Sequence, residues 1–323
     1  MKIIILGAGN WGTALAICFS ERKNVRLWTI NKEEADKINK AGMNETFLPG
    51  INLPASITAE EKYASPIEED DIIILAVPSR KIENVALELK EKGVKNNILV
   101  NVSKGVKHSS LKTIHEIIRE VLPEARFANL SGPTIAREIA EGLPAKAIIA
   151  SSDVSLLFYL QEHLQNSLLK FEFSRDVDGI ELCASLKGLI AIAVGLADGL
   201  GYKTNIFGLI MTYGLREFNI VMNFLGVSTD TVYGIAGMGD LITTCLSENS
   251  RNRSFGRYLA QGMSRDEALA EVGMVVEGVS MAKTIQKLAK FNLSIPLISC
   301  ITEIIFDDID DIRAKLTSTL DKL

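Results

Sequence analysis

The sequence predicts an α/β fold: a doubly wound, mainly parallel sheet in residues 1–177, followed by an all-α domain in residues 178–323. Three observations carry this. Short, branched, continuously apolar runs alternate with helical patterns through the first half, as expected of parallel strands covered on both faces. The first run feeds directly into a glycine-rich turn and an apolar helical segment. From about residue 175 the strand rhythm stops and long helical patterns take over.

Strands are expected at 2–6 (KIIIL), 25–29 (VRLWT), 71–77 (DIIILAV), 97–102 (NILVNV), 126–130 (RFANL) and 146–151 (KAIIAS). Helical stretches such as WGTALAICFSE and KIENVALELKEK lie between most of them. In the second half, helices are expected over 178–198, 205–225, 252–262, 277–291 and 296–306. The change of pattern falls at Asp176 to Gly179, with no low-complexity linker and no internal repeat.

Composition narrows the function classes. The chain has 323 residues, is 47% hydrophobic and 23% charged, and carries a formal net charge of -5. That suits a globular protein with a large core and argues against nucleic acid as a partner. Cys18, Cys183, Cys245 and Cys300 are far apart in apolar runs and read as buried free thiols. The three histidines, His108, His115 and His163, have no metal-like partner set, so no metal is expected and histidine is a poor candidate for acid–base chemistry. The stretch LCASLKGLIAIAVGLA, at 182–197, is shorter than the ~20 residues of a membrane span and contains Lys187. A cytoplasmic protein with no membrane span is the expectation.

The segment ILGAGNWGTALA places Gly7, Gly9 and Gly12 in the GxGxxG spacing of a Rossmann-like dinucleotide fingerprint, between a strand and a helix as that motif requires. Gly7 permits the tight turn, Gly9 close approach to a pyrophosphate, and Gly12 helix-on-strand packing. The second strand ends in Thr29, Ile30 and Asn31, without the acid that binds an adenosine ribose, and Lys32 follows, which permits NADP. Lys104, in NVSKGV, and the segment NLSGPTIAREIA both follow strand ends, where open parallel sheets hold ligands. A solvated loop lysine and a plain helix cap are the competing explanations. Gly132-Pro133 is expected to start a helix, with Thr134 and Ala136 in its first turn.

Lys187 lies in a long helix among small and apolar neighbours, so its ammonium is expected to be buried or to line a cleft, with a pKa drawn down toward the range useful for proton transfer. Asp240, in GIAGMGDLITTC, follows a glycine-rich turn at a helix start, where an N-cap role competes with a functional one. The stretch SENSRNRSFGR concentrates Arg251, Arg253 and Arg257 at the start of a helix, against its dipole. An external anion would resolve that conflict, with Arg251 binding it and Arg253 and Arg257 steering it.

These motifs, with FLPGINLP, GLPA and VVEGV in order among them, resemble the NAD(P)-dependent glycerol-3-phosphate dehydrogenases of the bacterial type, over residues 1 to about 306. The resemblance implies reversible hydride transfer between NAD(P)H and dihydroxyacetone phosphate, giving sn-glycerol 3-phosphate for phospholipid synthesis. It implies Lys187 as the acid–base residue, with Lys104 and Asp240 as further catalytic groups. It implies NAD or NADP at Gly7, Gly9, Asn10, Trp11, Gly12, Lys104, Ala136, Arg251, Val275 and Glu277. It implies substrate at Lys104, Gly132, Thr134, Lys187, Asp240, Ser250, Arg251 and Asn252. The partners to expect are a small phosphorylated substrate and, where the chain associates, a second copy in a homodimer.

The chain departs from the family pattern in carrying Gly188 where an asparagine follows the lysine, and Tyr213 where an arginine precedes Gly214. Its C-terminus lacks the usual EG turn, and no basic residue stands near Ile30 as in the family. With Gly188, Asn205 on the next helix is expected to orient substrate, and Gly188→Asn to preserve or raise activity. The readings left open are a paralogous reductase of another three-carbon or β-hydroxyacid-type substrate and a non-catalytic dinucleotide sensor.

Overall fold

The computed structural model describes residues 1–105, 112–307 and 309–323; His108 and Val106 lie outside the described residues. The chain folds into two compact units: residues 1–103 with 112–177, and residues 178–323 with Lys104 and Gly105.

The first unit is an eight-stranded sheet of order β3-β2-β1-β4-β5-β6-β7-β8. Its strands are β1 (Ile3–Leu6), β2 (Val25–Thr29), β3 (Ile57–Glu61), β4 (Ile72–Leu75), β5 (Ile98–Asn101), β6 (Arg126–Ser131), β7 (Ala145–Ala150) and β8 (Leu169–Ser174). All neighbours pair in parallel except β6 and β7, which are antiparallel. The central strands β1, β4 and β5 are buried at every position, as their unbroken apolar runs require. Among the described residues six α-helices connect or cover them: α1 (Asn10–Phe19), α2 (Lys32–Ala41), α3 (Ile82–Glu91), α4 (Ile114–Val121), α5 (Ala136–Ala140) and α6 (Val154–His163).

Two strands go beyond the sequence expectation. β3 reads ITAEE and sits at the sheet edge, where charged side chains reach solvent. β8, LKFEFS, alternates with period two at the other edge. The helix expected from Gly132-Pro133 starts only at Ala136: Gly132 sits at φ +141°, and the chain is still extended at Ile135, the N-cap, with φ -85° and ψ 114°.

The second unit is helical. It comprises α7 (Val177–Gly199), α8 (Thr204–Phe224), α9 (Asp240–Leu246), α10 (Arg251–Ala260), α11 (Arg265–Val272), α12 (Glu277–Ile285), α13 (Pro296–Phe306) and α14 (Ile312–Leu320). The helix expected over 277–291 tightens to 3-10 geometry from Gln286. α7 is the central element: Leu186, Ile190, Val194 and Ala197 are fully buried in a core shared with Phe218, Phe255 and Ile301. Each of the larger aliphatic side chains contributes roughly 1.5–3 kcal/mol on burial. By length and hydropathy α7 could cross a membrane, but its apolar window is entirely buried in the fold. All four cysteines are buried and free, and burial pushes the thiols of Cys18 and Cys245 up to about 12, so they are inert.

Candidate active site

In the first unit the fingerprint glycines answer to three different demands. Gly7 has φ +116°, and a Cβ there would lie 2.5 Å from the carbonyl oxygen of Ala76, the residue just past β4. A Cβ on Gly12 would lie 1.9 Å from the Gly7 carbonyl oxygen, so helix and turn touch backbone to backbone. Gly9 has nothing within 4 Å of a Cβ, which leaves open space over the turn. It is also the N-cap of α1, with no side chain on the first-turn amides and no acid in that turn. Bare amides, a positive dipole end and an open approach fit a dinucleotide pyrophosphate. Asn10 and Trp11 begin the helix at this turn.

At the end of β2, Asn31 caps α2 by accepting from the Glu34 amide at 2.9 Å. Lys32 is exposed and pairs with Asp36 at 2.6 Å. Beyond β6, Gly132 is buried and a Cβ on it would meet the Ala147 backbone at 3.1 Å. The Thr134 hydroxyl donates to the Gly132 carbonyl at 3.2 Å, closing the turn that ends at Ala136.

In the second unit the sequence candidates converge. α7 carries Lys187, 5% exposed, and α9 carries Asp240, 2% exposed. Asp240 reaches its place because a π-turn, Ile235–Gly239, delivers the chain into α9, with Gly237 packed on the Val232 carbonyl where a Cβ would lie 2.1 Å away. Asp240 is the first residue of α9, not its cap. Its Oδ2 accepts from Lys187 Nζ and also from Lys104 Nζ at 3.1 Å. One buried carboxylate thus holds two ammonium groups. Burial, with the Lys104 charge added, draws the Lys187 pKa down to about 7, while the Asp240 carboxylate works in the opposite direction. The result is an ammonium that can give up its proton near neutral pH.

α10 and α12 bring a second group. Ser250 is the N-cap of α10, its hydroxyl accepting from the Arg253 amide at 3.3 Å. Arg251 is the first helical residue and is exposed. Asn252 Oδ1 accepts from the Gly278 amide, in the first turn of α12, at 2.9 Å. Glu277 opens α12, and Val275 lies just before it.

The steering role expected of Arg253 and Arg257 does not hold. Arg253 is buried, with Nη2 on Asp198 Oδ2 at 3.1 Å, and Nη1 on Glu248 Oε1 at 2.7 Å and on the Leu246 carbonyl at 3.0 Å. Arg257 joins the same acids, at 3.0 Å from Asp198 through Nε and 3.0 Å from Glu248 through Nη2. Two of the three arginines are internally neutralised; Arg251, exposed at the α10 N-terminus with the Glu277 charge acting on it, is the one of the three left to face an anion. Asp198 and Glu248 are the residues sequence reasoning missed; Glu248 lies in the basic stretch itself, five residues before Arg253.

The expected effect of Gly188→Asn meets a steric obstacle, since a Cβ on Gly188 would lie 3.0 Å from the Gly278 backbone. Asn205 is exposed in the first turn of α8. Tyr213 is half-buried on the same helix, with the Arg216 guanidinium 4.9 Å over its ring.

Comparison with known proteins gives the family. The model of the NAD-dependent glycerol-3-phosphate dehydrogenase N-terminus matches residues 2–157, and that of the C-terminus matches residues 176–314. A glycerol-3-phosphate dehydrogenase (NAD(P)+) of Fusobacterium nucleatum is 39% identical over 312 residues, covering 95% of this chain and 93% of that protein. One of Chlorobium phaeobacteroides is 36% identical over 313 residues, covering 95% and 94%. The crystal structure of glycerol-3-phosphate dehydrogenase from Coxiella burnetii superposes with a TM-score of 0.89 at 31% identity, covering 99% of this chain and 98% of that one. The chain therefore belongs to the NAD-dependent glycerol-3-phosphate dehydrogenase family.

Proposed function

We propose that this protein catalyses reversible hydride transfer between NAD(P)H and dihydroxyacetone phosphate, giving sn-glycerol 3-phosphate. The observation that carries the reading is the Lys187–Asp240–Lys104 cluster, a buried proton donor of lowered pKa held by a shared carboxylate. Residues 1–177 are the dinucleotide-binding domain in this reading and residues 178–323 the substrate domain. The bound nicotinamide supplies the hydride. Gly7, Gly9, Asn10, Trp11 and Gly12 hold the pyrophosphate on the α1 amides, with Ala136, Val275 and Glu277 beside the cofactor.

Lys187 donates its proton to the carbonyl oxygen as negative charge develops there, leaving a neutral amine that recovers a proton from solvent. In the reverse direction the neutral amine removes the proton of the alcohol. Asp240 fixes Lys187 in place. Lys104 lowers the Lys187 pKa from beside it and offers a donor to the substrate oxygen. Arg251, Asn252 and Ser250, at the α10 N-terminus, take the substrate phosphate. Either nicotinamide dinucleotide is admitted: no acid ends β2 to repel a 2′-phosphate, and the exposed Lys32–Asp36 pair opens at little cost.

The test is absorbance decay of NADH or NADPH on adding dihydroxyacetone phosphate to the purified chain. Turnover with the phosphorylated ketone and none with unphosphorylated dihydroxyacetone at equal concentration is expected. Equal turnover of the two would overturn the assignment of Arg251 and its neighbours.

A further inference from the structure

The N-termini of α10 and α12 meet over α7, one residue beyond Lys187, at Gly188. A Cβ on Gly188 would lie 3.0 Å from both N and Cα of Gly278 and 3.2 Å from Nδ2 of Asn252. A Cβ on Gly278 would in turn lie 2.7 Å from the Gly188 carbonyl oxygen. Backbone therefore stands directly on backbone at this crossing. Within it, the Gly278 N–H donates to Asn252 Oδ1 at 2.9 Å. A carboxamide has one accepting edge and one donating edge. The accepting edge of Asn252 is taken by Gly278, and its Nδ2 makes no hydrogen bond among the described residues. With Oδ1 turned onto Gly278, the edge of the Asn252 amide left for a ligand is its Nδ2 donor edge, which suits an anion.

We propose that Gly188 is a positioning residue for the substrate phosphate. Lacking a side chain, it lets the first turn of α12 seat on α7, and the seated turn locks the Asn252 amide in its donor orientation. The inference rests on the reading of the α10 N-terminus as the phosphate site. It also explains how the site tolerates a glycine beside its catalytic lysine: the amide of Asn252 packs against the position where a side chain on residue 188 would begin, 3.2 Å from it.

Gly188→Ala tests it, in the full chain, by steady-state kinetics and by inhibition with inorganic phosphate. The added methyl requires α12 to give by a few tenths of an ångström. The expected result is about a ten-fold rise in both KM for dihydroxyacetone phosphate and Ki for phosphate, roughly one charge-assisted hydrogen bond, with kcat changed less. In an Asn252→Ala background the same substitution should add under about two-fold, because it acts through Asn252. An equal effect in both backgrounds, or none in either, overturns the proposal. Should Gly188→Ala not fold, judged by circular dichroism, Asn252→Asp decides. It keeps the acceptor for Gly278 and replaces the donors with an oxygen, so phosphate inhibition should vanish with the melting temperature retained. Normal phosphate inhibition of Asn252→Asp overturns the proposal. Wild-type protein that binds phosphate yet does not reduce dihydroxyacetone phosphate overturns the reading of the reaction instead, and leaves the phosphate measurements to decide this one.

Discussion

Lys187 combines the two properties that an acid–base residue needs: it is buried, and it touches charges of both signs. Lys187→Ala should lower kcat by about 10²–10⁴-fold, the usual contribution of a positioned proton donor. Near-normal turnover by a folded variant would remove the assignment. The pH dependence has a definite sign. Reduction needs the ammonium, so its rate should fall as pH rises through about 7, while oxidation, which needs the amine, should rise over the same range. Lys104→Met removes the neighbouring charge that depresses the Lys187 pKa, so the falling limb of reduction should move to higher pH. An unmoved limb would show that Lys104 does not act on Lys187. Arg251→Ala should cost about 10–150-fold in affinity for the phosphorylated ketone, one charge-assisted bond. Arg253→Ala should leave phosphate affinity in place and lower stability instead, by about 1–3 kcal/mol, since Leu246 and Asp198 lose a buried donor. Urea unfolding and phosphate titration of the two arginine variants separate these roles. The sequence made Lys187, Asp240 and Arg251 legible because each is a charged residue in an improbable place, in an apolar helix, after a glycine turn, or against a dipole. It set Arg251 apart as the anion binder but gave Arg253 and Arg257 a steering task in place of an internal one, because the counterion Asp198 comes from α7, more than fifty residues away.

At the scale of elements, the site depends on how closely α10 lies on α7. Glycines on both helices set that distance. A Cβ on Gly195 would lie 2.0 Å from the Arg253 carbonyl oxygen, and one on Gly256 would lie 2.1 Å from that of Ile192. Gly199 adds a close approach to Ala260 and Arg257 at the far end of the crossing. No rotamer change relieves a Cβ–carbonyl clash, so the helices must separate. Gly256→Ala should destabilise by about 1–3 kcal/mol or more and should weaken phosphate binding in the same variant, because Arg251 and Asn252 ride on the displaced helix. Denaturant unfolding with phosphate titration checks both, and a variant as stable as wild type would show that the seam is loose. The spacing Gly195-x-x-x-Gly199 is visible in the sequence, but a close approach needs a partner, and nothing local to α7 names Gly256. The long buried elements read clearly for the opposite reason: their apolar pattern is local. β3 escapes because two acids end it, and α14 because its short helix follows a run of aspartates that reads as loop. β8 carries an alternation strong enough to find, and its lysine and glutamate mark the solvent-facing side of an edge strand.

For the molecule as a whole, the helical unit contains two buried ionisable groups whose pKa values are displaced toward neutrality from opposite sides. Glu217 on α8 accepts from the amides of Leu297 and Ile298, both at 2.7 Å, at the start of α13. Burial raises its carboxyl to about 7, with the two amides holding the rise in check. Between roughly 4.5 and 7 the native state therefore binds more protons than the unfolded chain, and stability falls as pH rises through that window. Lys187 behaves inversely. Its folded pKa, about 7, lies below the unfolded value near 10.5, so the unfolded chain binds more protons above 7 and stability rises with pH. The two slopes meet near neutrality, and the unit should be least stable there. Each limb is at most about 3–5 kcal/mol deep, from the size of the displacements. The proton donor that the chemistry needs is thus least well tolerated at the pH where it works. Urea unfolding of the purified protein at about pH 5, 7 and 9 should show the trough. Glu217→Gln should flatten the acid side and Lys187→Met the alkaline side, each leaving the other slope in place. A wild-type stability that climbs or falls steadily across this range would show that these two groups do not govern it.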